Sequence, residues 1–444
     1  MPRLLAAVMV LTTLALASPA AALARWTRPI PLESGPPSSY TAPAVAIAGR
    51  GDAAVAWETV RSTPPPSRWK SCALKTARPP DCWPIVTIKV AVYTANHEKL
   101  IRSLWQERVD PTMRLSVAIA RGEVTVAWGY QDLNGLSESA RVAYGPLKGR
   151  WQPSRLLGHF SDLRFTGGGT PAYPRLAVAL DGTVLAAWGA CRSVTACPRP
   201  AGGVELAWRS PHHGFGSPQL IREAPEGAQP LYDVAGTAYL YSPCRGRILM
   251  TSPGSRRFAR NVTVARGSVS DLSLSTSGAG EGLLTWVAGP CSTDRAVGNA
   301  RGAVLASTLK GGVFSAGSRL TASGVWAYDA RSAAVPGGGV ASWLTTGSNG
   351  GPLRVVTVGA PGPLAPIPAG SEPVTSDGGG DILFTPGNPP SEITSQFVLP
   401  RRGASLEAAP SSNGELAAAP FSRLAADAWY RGGLKLSIWR PEVP

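Results

Sequence analysis

The chain has 444 residues, including 50 Gly and 42 Pro. Gly and Pro at this frequency interrupt the chain before a 3.6-residue apolar period can extend, which argues against a protein built of long helices. The formal net charge is +15, and most of the cations are Arg because only 7 residues are Lys.

The first 24 residues have the pattern of a secretory signal peptide. Arg3 gives a short positive segment, Leu4 to Ala17 are mostly apolar, and Ala22-Leu23-Ala24 matches an A-x-A cleavage site. A lipoprotein has Cys after this site, whereas Arg25 follows it here. No later stretch reaches the roughly 18 apolar residues of a membrane span. We therefore expect residues 25–444 to be one secreted, extracellular domain without a membrane span.

One phrase recurs along the rest of the chain: an apolar strand, a turn containing Gly, and a second strand that ends in a small residue and Trp. Self-similarity at a period of tens of residues is typical of repeat proteins, and four short strands per unit predict a β-propeller. The repeat-signature residues, to which we assign a structural role, are Trp57, Trp128, Trp188, Trp286 and Trp343.

The Trp-ending strands have two faces that can be buried. In the second unit, Val124, Val126 and Trp128 share one face, while Thr125 and Ala127 share the other. A sheet of this kind needs neighbours on both sides, which radially stacked blades provide. A two-layer sandwich would instead leave one face polar.

Two further strands complete each predicted unit. A third strand follows the Trp after a variable loop, as in Val204–Trp208, and an aromatic-led fourth strand follows it. The predicted fourth strands are Gly149–Leu156, Gly214–Leu220 and Gly312–Ser315. Arg25–Leu32 has the same fourth-strand pattern with no strands before it. We expect it to pair with Leu434–Trp439 and close the last blade.

The number of units is seven or eight. Five carry the Trp, Pro230–Ala265 is a degenerate unit without it, and one or two more follow Pro373. The predicted fold class is thus all-β, a single propeller of seven or eight four-stranded blades.

Six cysteines in an exported chain indicate a disulfide framework. Cys72 and Cys82 share one loop after a Trp strand, and Cys191 and Cys197 share the equivalent loop of another unit, so each pair is expected to join its own loop. Cys244 and Cys291 then remain to bridge adjacent units. A zinc site is the alternative, although no pair has Cys-x-x-Cys spacing and no His is near.

The positive charge has two interpretations. Removal of Arg3 leaves 42 basic and 28 acidic residues, a net charge of +14. Arg binds phosphate, sulfate and carboxylate through two parallel hydrogen bonds, which favours an extracellular polyanion as partner. A GC-rich coding sequence explains the same excess of Arg, Ala, Gly and Pro. The densest clusters, Arg256-Arg257 with Arg260 and Arg401-Arg402, fall in predicted hairpins, so we expect no nucleic-acid partner.

No linear motif assigns a catalytic residue. The histidines, His97, His159, His212 and His213, do not form H-E-x-x-H, and the adjacent pair is interpreted as a solvated turn. G-x-S-x-G and phosphate-binding loops are absent. Asp377–Asp381 is interpreted as a turn, because the calcium-loop pattern is missing. We predict no cofactor and no metal.

Pro174–Trp188, PRLAVALDGTVLAAW, resembles the repeat unit of bacterial secreted β-propeller proteins of the sialidase-like, neuraminidase-superfamily type. The resemblance implies a propeller architecture over most of the chain. The Asp-boxes of true sialidases are absent, and Trp26–Pro31 matches their aromatic-Arg-Ile-Pro motif only loosely. The arginine triad, tyrosine nucleophile and acid of that family are therefore not carried over.

Two functions of different classes follow. The first is a non-catalytic, monomeric binding module whose loops contact a glycan, an anionic envelope polymer or a protein. The alternative is a glycoside hydrolase or lyase with carboxylates contributed by different blades. Its candidate carboxylates are interpreted as solvated turns and are Glu58, Asp132, Glu138 and Asp294.

Overall fold

The structure is a computed structural model. It describes residues 25–34, 43–61, 84–109, 114–131, 137–161, 173–189, 203–224, 228–242, 245–289, 302–345, 353–359, 371–376, 382–386, 397–399, 407–408, 415–419, 422–431 and 433–440. The predicted signal peptide and all six cysteines lie outside these residues.

The regular structure of the described residues consists of β-strands that form eight antiparallel sheets. We number the sheets in chain order and call the strand named first in each sheet below its first strand. The two N-terminal strands are left out of this order. The N-terminal strands β1 (Arg25–Trp26) and β2 (Ile30–Ser34) belong to sheet 8. Sheet 1 contains β3 (Ala44–Ile47), β4 (Ala53–Arg61), β5 (Ile85–Tyr93) and β6 (Lys99–Arg108). Sheet 2 contains β7 (Arg114–Ala120), β8 (Glu123–Gln131), β9 (Ser137–Pro146) and β10 (Arg155–Ser161). Sheet 3 contains β11 (Arg175–Val178), β12 (Val184–Gly189), β13 (Val204–Arg209) and β14 (Gln219–Ile221).

The remaining five sheets follow in chain order. Sheet 4 contains β15 (Gln229–Tyr232), β16 (Ala238–Tyr241), β17 (Arg247–Thr251) and β18 (Phe258–Thr263). Sheet 5 contains β19 (Val269–Thr276), β20 (Gly282–Ala288), β21 (Ala303–Lys310), β22 (Val313–Phe314) and β23 (Ser318–Arg319). Sheet 6 contains β24 (Ala327–Val335), β25 (Gly338–Thr345) and β26 (Leu353–Gly359). Sheet 7 contains β27 (Ser371–Ser376), β28 (Ile382–Pro386), β29 (Phe397–Leu399) and β30 (Glu407–Ala408). Sheet 8 contains β31 (Glu415–Ala418), β32 (Ala425–Tyr430) and β33 (Gly433–Arg440).

The first strands of the sheets lie side by side and run in the same direction. Contacts join β3 to β7, β7 to β11, β11 to β15, β19 to β24, β24 to β27 and β27 to β31, and β3 also contacts β31. The second residue of β11, Leu176, donates its N–H to Ser116 Oγ of β7 at 3.1 Å. At the other end of the strands, Thr276 Oγ1 of β19 donates to the carbonyl of Tyr232 in β15 at 3.0 Å. The first strands therefore begin at one common end and finish at the other.

The expected burial of both faces of the Trp strands is confirmed. Val124, Val126 and Trp128 lie in one apolar cluster, and Ala127 lies in another, against sheet 3. The five repeat-signature tryptophans each expose at most 4% of their surface. Full burial of one such side chain stabilises the fold by about 1.5–3 kcal/mol or more. The apolar cores thus lie between neighbouring sheets.

Trp188 shows how a signature tryptophan joins two sheets. Its Nε1 donates to Glu205 Oε2 at 3.0 Å within sheet 3, where both side chains are buried. Gly158, on β10 of sheet 2, lies so close that an added Cβ would be 2.6 Å from Trp188 Nε1. The glycine is needed here because no larger residue leaves room for the indole.

The degenerate unit also forms a complete sheet. Sheet 4 has no signature tryptophan, and Tyr239 and Tyr241 fill the equivalent buried strand. Tyr239 Oη donates to Asp233 Oδ2 at 2.7 Å, so its hydroxyl is satisfied inside the core. Tyrosine replaces tryptophan because a buried acceptor is available for its polar end.

The expected position of the fourth strand is confirmed in sheet 5, where β22 lies inside Gly312–Ser315, and is wrong in sheets 2 and 3. β10 begins at Arg155 and not at Gly149, and β14 begins at Gln219 and not at Gly214. The leading aromatic residue lies in the preceding turn. Trp151 donates Nε1 to the carbonyl of Pro146 at 2.9 Å, and its ring covers Gly145. Pro153 follows and has no N–H for the ladder, which delays the strand.

The N-terminal strands pair where the sequence predicts. Trp26 lies opposite Trp439, and Ile30 lies opposite Leu436, so both ends of the described chain share sheet 8. Thr27 links the segments further, since its N–H donates to the Ile438 carbonyl at 2.8 Å. Across the described residues, the structure contains no helix long and apolar enough to cross a membrane.

Candidate active site at the mouth of the central cavity

A cavity of about 600 Å³ lies between the first strands of all eight sheets. This volume falls in the range of about 300–1,000 Å³ that small-ligand sites occupy. We call the end at which the first strands begin the mouth, and we define it by Arg175, Gln229, Asp271, Asp329 and Arg331. The second strands end at the mouth, because each pairs antiparallel with a first strand.

Two aspartates hold equivalent, unusual positions at the mouth. Asp271 is the third residue of β19, and Asp329 is the third residue of β24. Each lies at a bulge, where the register with the second strand shifts, and each has a left-handed backbone with φ of 49° and 54°. Asp tolerates this conformation better than most residues, at a cost on the order of 1–2 kcal/mol. Strained residues of this kind cluster at functional sites.

The bulges bring the two aspartates together. Asp271 Oδ2 accepts the backbone N–H of Asp329 at 2.9 Å. Ser273 and Ser332 link the same two strands, with Oγ atoms 3.2 Å apart. The two aspartates are therefore adjacent and are held by backbone and side-chain bonds between two sheets.

Arginine provides the positive charge beside this pair. Arg331 Nε lies 3.5 Å from Asp329 Oδ1, and the two side chains expose 40% and 33% of their surface. Arg175, at the start of β11, lines the same cavity. The mouth thus combines two carboxylates with guanidinium groups that suit anionic or hydroxylated ligands.

A buried phenol lies behind the mouth. Tyr241 Oη lies 3.2 Å from Gln229 Oε1 and 3.4 Å from the Leu274 carbonyl oxygen, and these two acceptors share its single hydroxyl hydrogen. Burial raises the pKa of Tyr241, while the charge of Arg175 opposes that rise. Burial likewise raises the pKa of Tyr232 to about 12. Both groups are therefore neutral hydrogen-bonding groups of the cavity wall near neutral pH.

A second charged cluster lies at the opposite end of the strands. Arg209, with 1% side-chain exposure, has Nη1 3.0 Å from Glu123 Oε2 and Nη2 3.2 Å from Thr125 Oγ1. Its guanidinium lies 4.7 Å from the Tyr144 ring centre. The cluster joins sheet 3 to sheet 2, and its burial assigns it to the fold.

The structure describes two of the four acidic residues that the sequence offers as candidates for catalysis. Glu58 is not in a solvated turn: it lies inside β4 and is fully buried, because that strand continues past Trp57 to Arg61. Glu138 lies in β9. Asp132, Asp294, the turn Asp377–Asp381 and the Arg401-Arg402 pair fall outside the described residues.

The histidines do not share a site. His212 lies in an exposed turn, as expected, with Nδ1 3.5 Å from Glu123 Oε1. His97 Nδ1 lies 2.6 Å from Tyr93 Oη, and His159 lies in β10. Arg256 and Arg257 lie in the exposed β17–β18 hairpin, with Arg260 in β18. Within the described part of the chain, no group of three or more His, Cys, Asp or Glu could hold a metal ion.

Sequence reasoning missed Asp271 and Asp329. A signal was present, because each Asp comes 14 or 15 residues before the signature tryptophan of its unit, at Trp286 and Trp343. The other signature units have no Asp at the start of the first strand. An alignment of the units on their tryptophans would have separated these two.

No protein-family model matches the chain, and no curated protein matches it. Solved structures to which it is similar include the β-propeller domain of the Trilobed protease from Pyrococcus furiosus, at 9% identity, over 88% of this chain and 97% of that one, with a TM-score of 0.40. An α-L-arabinofuranosidase from Fusarium graminearum matches at 8% identity, over 93% and 97%, with a TM-score of 0.39. A Trypanosoma rangeli sialidase matches at 7% identity, over 72% and 55%, with a TM-score of 0.35.

Proposed function

We propose that the protein is a carbohydrate-cleaving enzyme, a glycoside hydrolase whose carboxylate pair is Asp271 and Asp329. The observation that carries this proposal is the bond from the Asp329 N–H to Asp271 Oδ2, between two left-handed aspartates on neighbouring first strands. Glycosidases use two carboxyl groups that flank the bond to be cleaved. The proposal replaces the non-catalytic binding module favoured by the sequence with its alternative.

The surroundings suggest a role for each carboxylate. Asp329 lies beside the Arg331 cation, which suits a group that acts as a charged nucleophile. Asp271 is assigned the other role, that of proton donor to the leaving oxygen, because the mechanism requires one acid beside the nucleophile. Asp271 Oδ2 accepts the Asp329 amide at 2.9 Å, so the two residues are adjacent, and we propose the closely spaced arrangement of retaining enzymes, whose two carboxyl groups lie about 5–5.5 Å apart. We therefore expect net retention at the anomeric carbon.

A turnover panel tests the proposal. The purified protein is incubated with arabinan, polygalacturonate, chitin and sialyl oligosaccharides, and new reducing ends are measured. Release of reducing ends that disappears in Asp271→Asn and Asp329→Asn supports the hydrolase. An ultraviolet-absorbing unsaturated product would instead indicate a lyase, because elimination leaves a C=C bond.

Binding without cleavage remains the second candidate. It is favoured by the fact that the Asp329 carboxylate already faces Arg331 and the Asp271 carboxylate already accepts a backbone N–H. Saturable binding of one polysaccharide with no turnover, unchanged in both Asn variants, would select this candidate over the enzyme.

We propose that the eight sheets are eight blades of one propeller, closed by β1 and β2 in sheet 8. The contacts of β3 with both β7 and β31, and the pairing of Trp26 with Trp439, support this arrangement. Deletion of residues 25–34 is expected to leave the β33 edge unpaired and to cause association or unfolding, which size-exclusion chromatography measures.

We also propose that residues 1–24 direct export and that the cysteines pair as Cys72–Cys82, Cys191–Cys197 and Cys244–Cys291. The A-x-A site before Arg25 supports the first proposal, and shared loops support the second. N-terminal sequencing of the exported protein should begin at Arg25, and non-reducing peptide mapping should identify the three linked pairs.

A further inference from the structure

Trp326 is an exception among the tryptophans of this protein. It exposes 56% of its surface, whereas the other tryptophans of the described segments are buried or partly buried. Tryptophan left in water forgoes the largest burial gain available to any side chain. An exposed tryptophan next to a cavity mouth is therefore a candidate contact for a ligand.

The backbone that carries Trp326 is held firmly on both sides. Ala327, which follows it, exchanges two backbone hydrogen bonds with Gly302, at 2.9 and 3.2 Å. Before it, the Val325 N–H donates to the Ala322 carbonyl at 3.3 Å. Arg319 adds two bonds, from Nε to the Thr321 carbonyl and from Nη2 to the Ala322 carbonyl. The backbone that carries Trp326 is therefore fixed, and a ligand would need to order only the side chain.

Trp326 lies at the mouth and outside the cavity wall. It immediately precedes β24, and Asp329 is the third residue of that strand. Strand residues advance by at most about 3.4 Å each, so the Trp326 backbone lies no more than about 10 Å from the Asp329 backbone. Because a sugar ring is roughly half as long as that distance, one or two units separate the two positions.

We propose that Trp326 is a sugar-stacking platform, a second subsite that makes the substrate an oligosaccharide or polysaccharide and not a single sugar. The inference rests on the proposed glycoside hydrolase. The C–H face of a sugar ring is slightly positive and packs on the negative face of an indole. Arg331 and Asp329 bond to sugar hydroxyls at the cleavage position, while Trp326 holds the chain further along.

The test compares affinities for short and long probes. Isothermal titration is performed with arabinohexaose, hexa-galacturonate and chitohexaose and with the corresponding monosaccharides, using the Asp329→Asn protein so that cleavage does not interfere. Trp326→Ala in that background should weaken hexasaccharide binding at least 10-fold and leave monosaccharide binding unchanged. Trp326→Phe should recover part of the loss, because it restores a ring.

Val313→Ala is the matched control, since Val313, the first residue of β22 at the opposite end, exposes 64% of its surface. It should change neither affinity. Equal hexasaccharide affinity with and without Trp326 would overturn the inference, even if the turnover panel supports the hydrolase. Failure of all hexasaccharides to bind would overturn it as well, and the hydrolase would be judged separately by the release of reducing ends.

Discussion

The two ends of the first strands differ in regularity. At the hairpin end, where the first strands finish, the turns repeat one geometry: Gly51, Gly182 and Gly236 each donate an N–H to the carbonyl three residues earlier and have φ of 81–89°. At the mouth, three neighbouring units depart from the repeat with bulges in their first strands, at Asp271, Asp329 and Pro373, and only the first two of these residues are acidic. Features that recur in many sheets maintain the fold, and features confined to neighbouring sheets indicate the site.

Changes at the mouth should affect turnover and not stability. Asp271→Asn and Asp329→Asn remove a proton donor and a nucleophile, so kcat/KM should fall by about 10²–10⁴-fold. Asn tolerates the left-handed backbone as Asp does, so the melting temperature should stay the same. Steady-state kinetics and calorimetry check the two effects, and a fall in melting temperature with normal kcat/KM would reverse the assignment.

Changes at the hairpin end should do the opposite. Arg209→Ala leaves the buried Glu123 carboxylate without its cation and should cost about 3–5 kcal/mol in the free energy of unfolding. Turnover per folded molecule should stay normal. Urea denaturation measures the loss, and the Arg209→Ala, Glu123→Gln double variant should recover part of it because no charge remains buried.

Alkaline pH should lower the stability of sheet 4, which has buried tyrosines at both ends of its strands. Burial raises the pKa of Tyr232 to about 12 and the pKa of Tyr239 further, with the Asp233 hydrogen bond as the second cause. Raised values mean that the neutral form is favoured in the folded protein. Stability is therefore full below pH 10 and falls as the pH rises from about 10 to 12, by on the order of 2–3 kcal/mol for Tyr232.

Absorbance of ionised tyrosine, followed together with circular dichroism, tests this dependence. Ionisation of the buried tyrosines should coincide with loss of sheet structure. Ionisation near pH 10 with the sheets intact would show that these phenols are accessible to solvent.

Two glycines in turns at the hairpin end allow the cost of backbone strain to be measured apart from the cost of crowding. Gly182 has φ of 89°, and an added Cβ would lie 2.9 Å from Arg121 Cγ and from Pro211 Cγ. Gly122 has φ of 77° with nothing within 4 Å of the same Cβ. Gly182→Ala should lower the free energy of unfolding by about 1–2 kcal/mol or more. Gly122→Ala should lower it only by the cost of the strained backbone. Equal losses of unfolding free energy in the two variants would mean that the side chains around Gly182 move aside at no cost.

The sequence predicts the fold better than it predicts the site, for a physical reason. Alternation along strands such as Val124–Trp128 recurs in most units, so the all-β class, the strand pairs and the partner of Trp26 follow from the pattern. The pattern misplaces the fourth strand of sheet 2 because Trp151 and its neighbouring Pro153 form a turn. Asp271 and Asp329 depend on bulges within sheets 5 and 6 and on the bond between these two sheets, which the repeated pattern does not specify.

The role of the mouth is tested most directly by hydrogen–deuterium exchange with and without the polysaccharide that the turnover panel identifies, using the Asp329→Asn protein. Exchange should slow in residues 269–276 and 326–335, and it should not change in the hairpins at residues 48–52 and 179–183. Slowed exchange confined to those hairpins, with the mouth unchanged, would contradict the assignment of the mouth as the carbohydrate site.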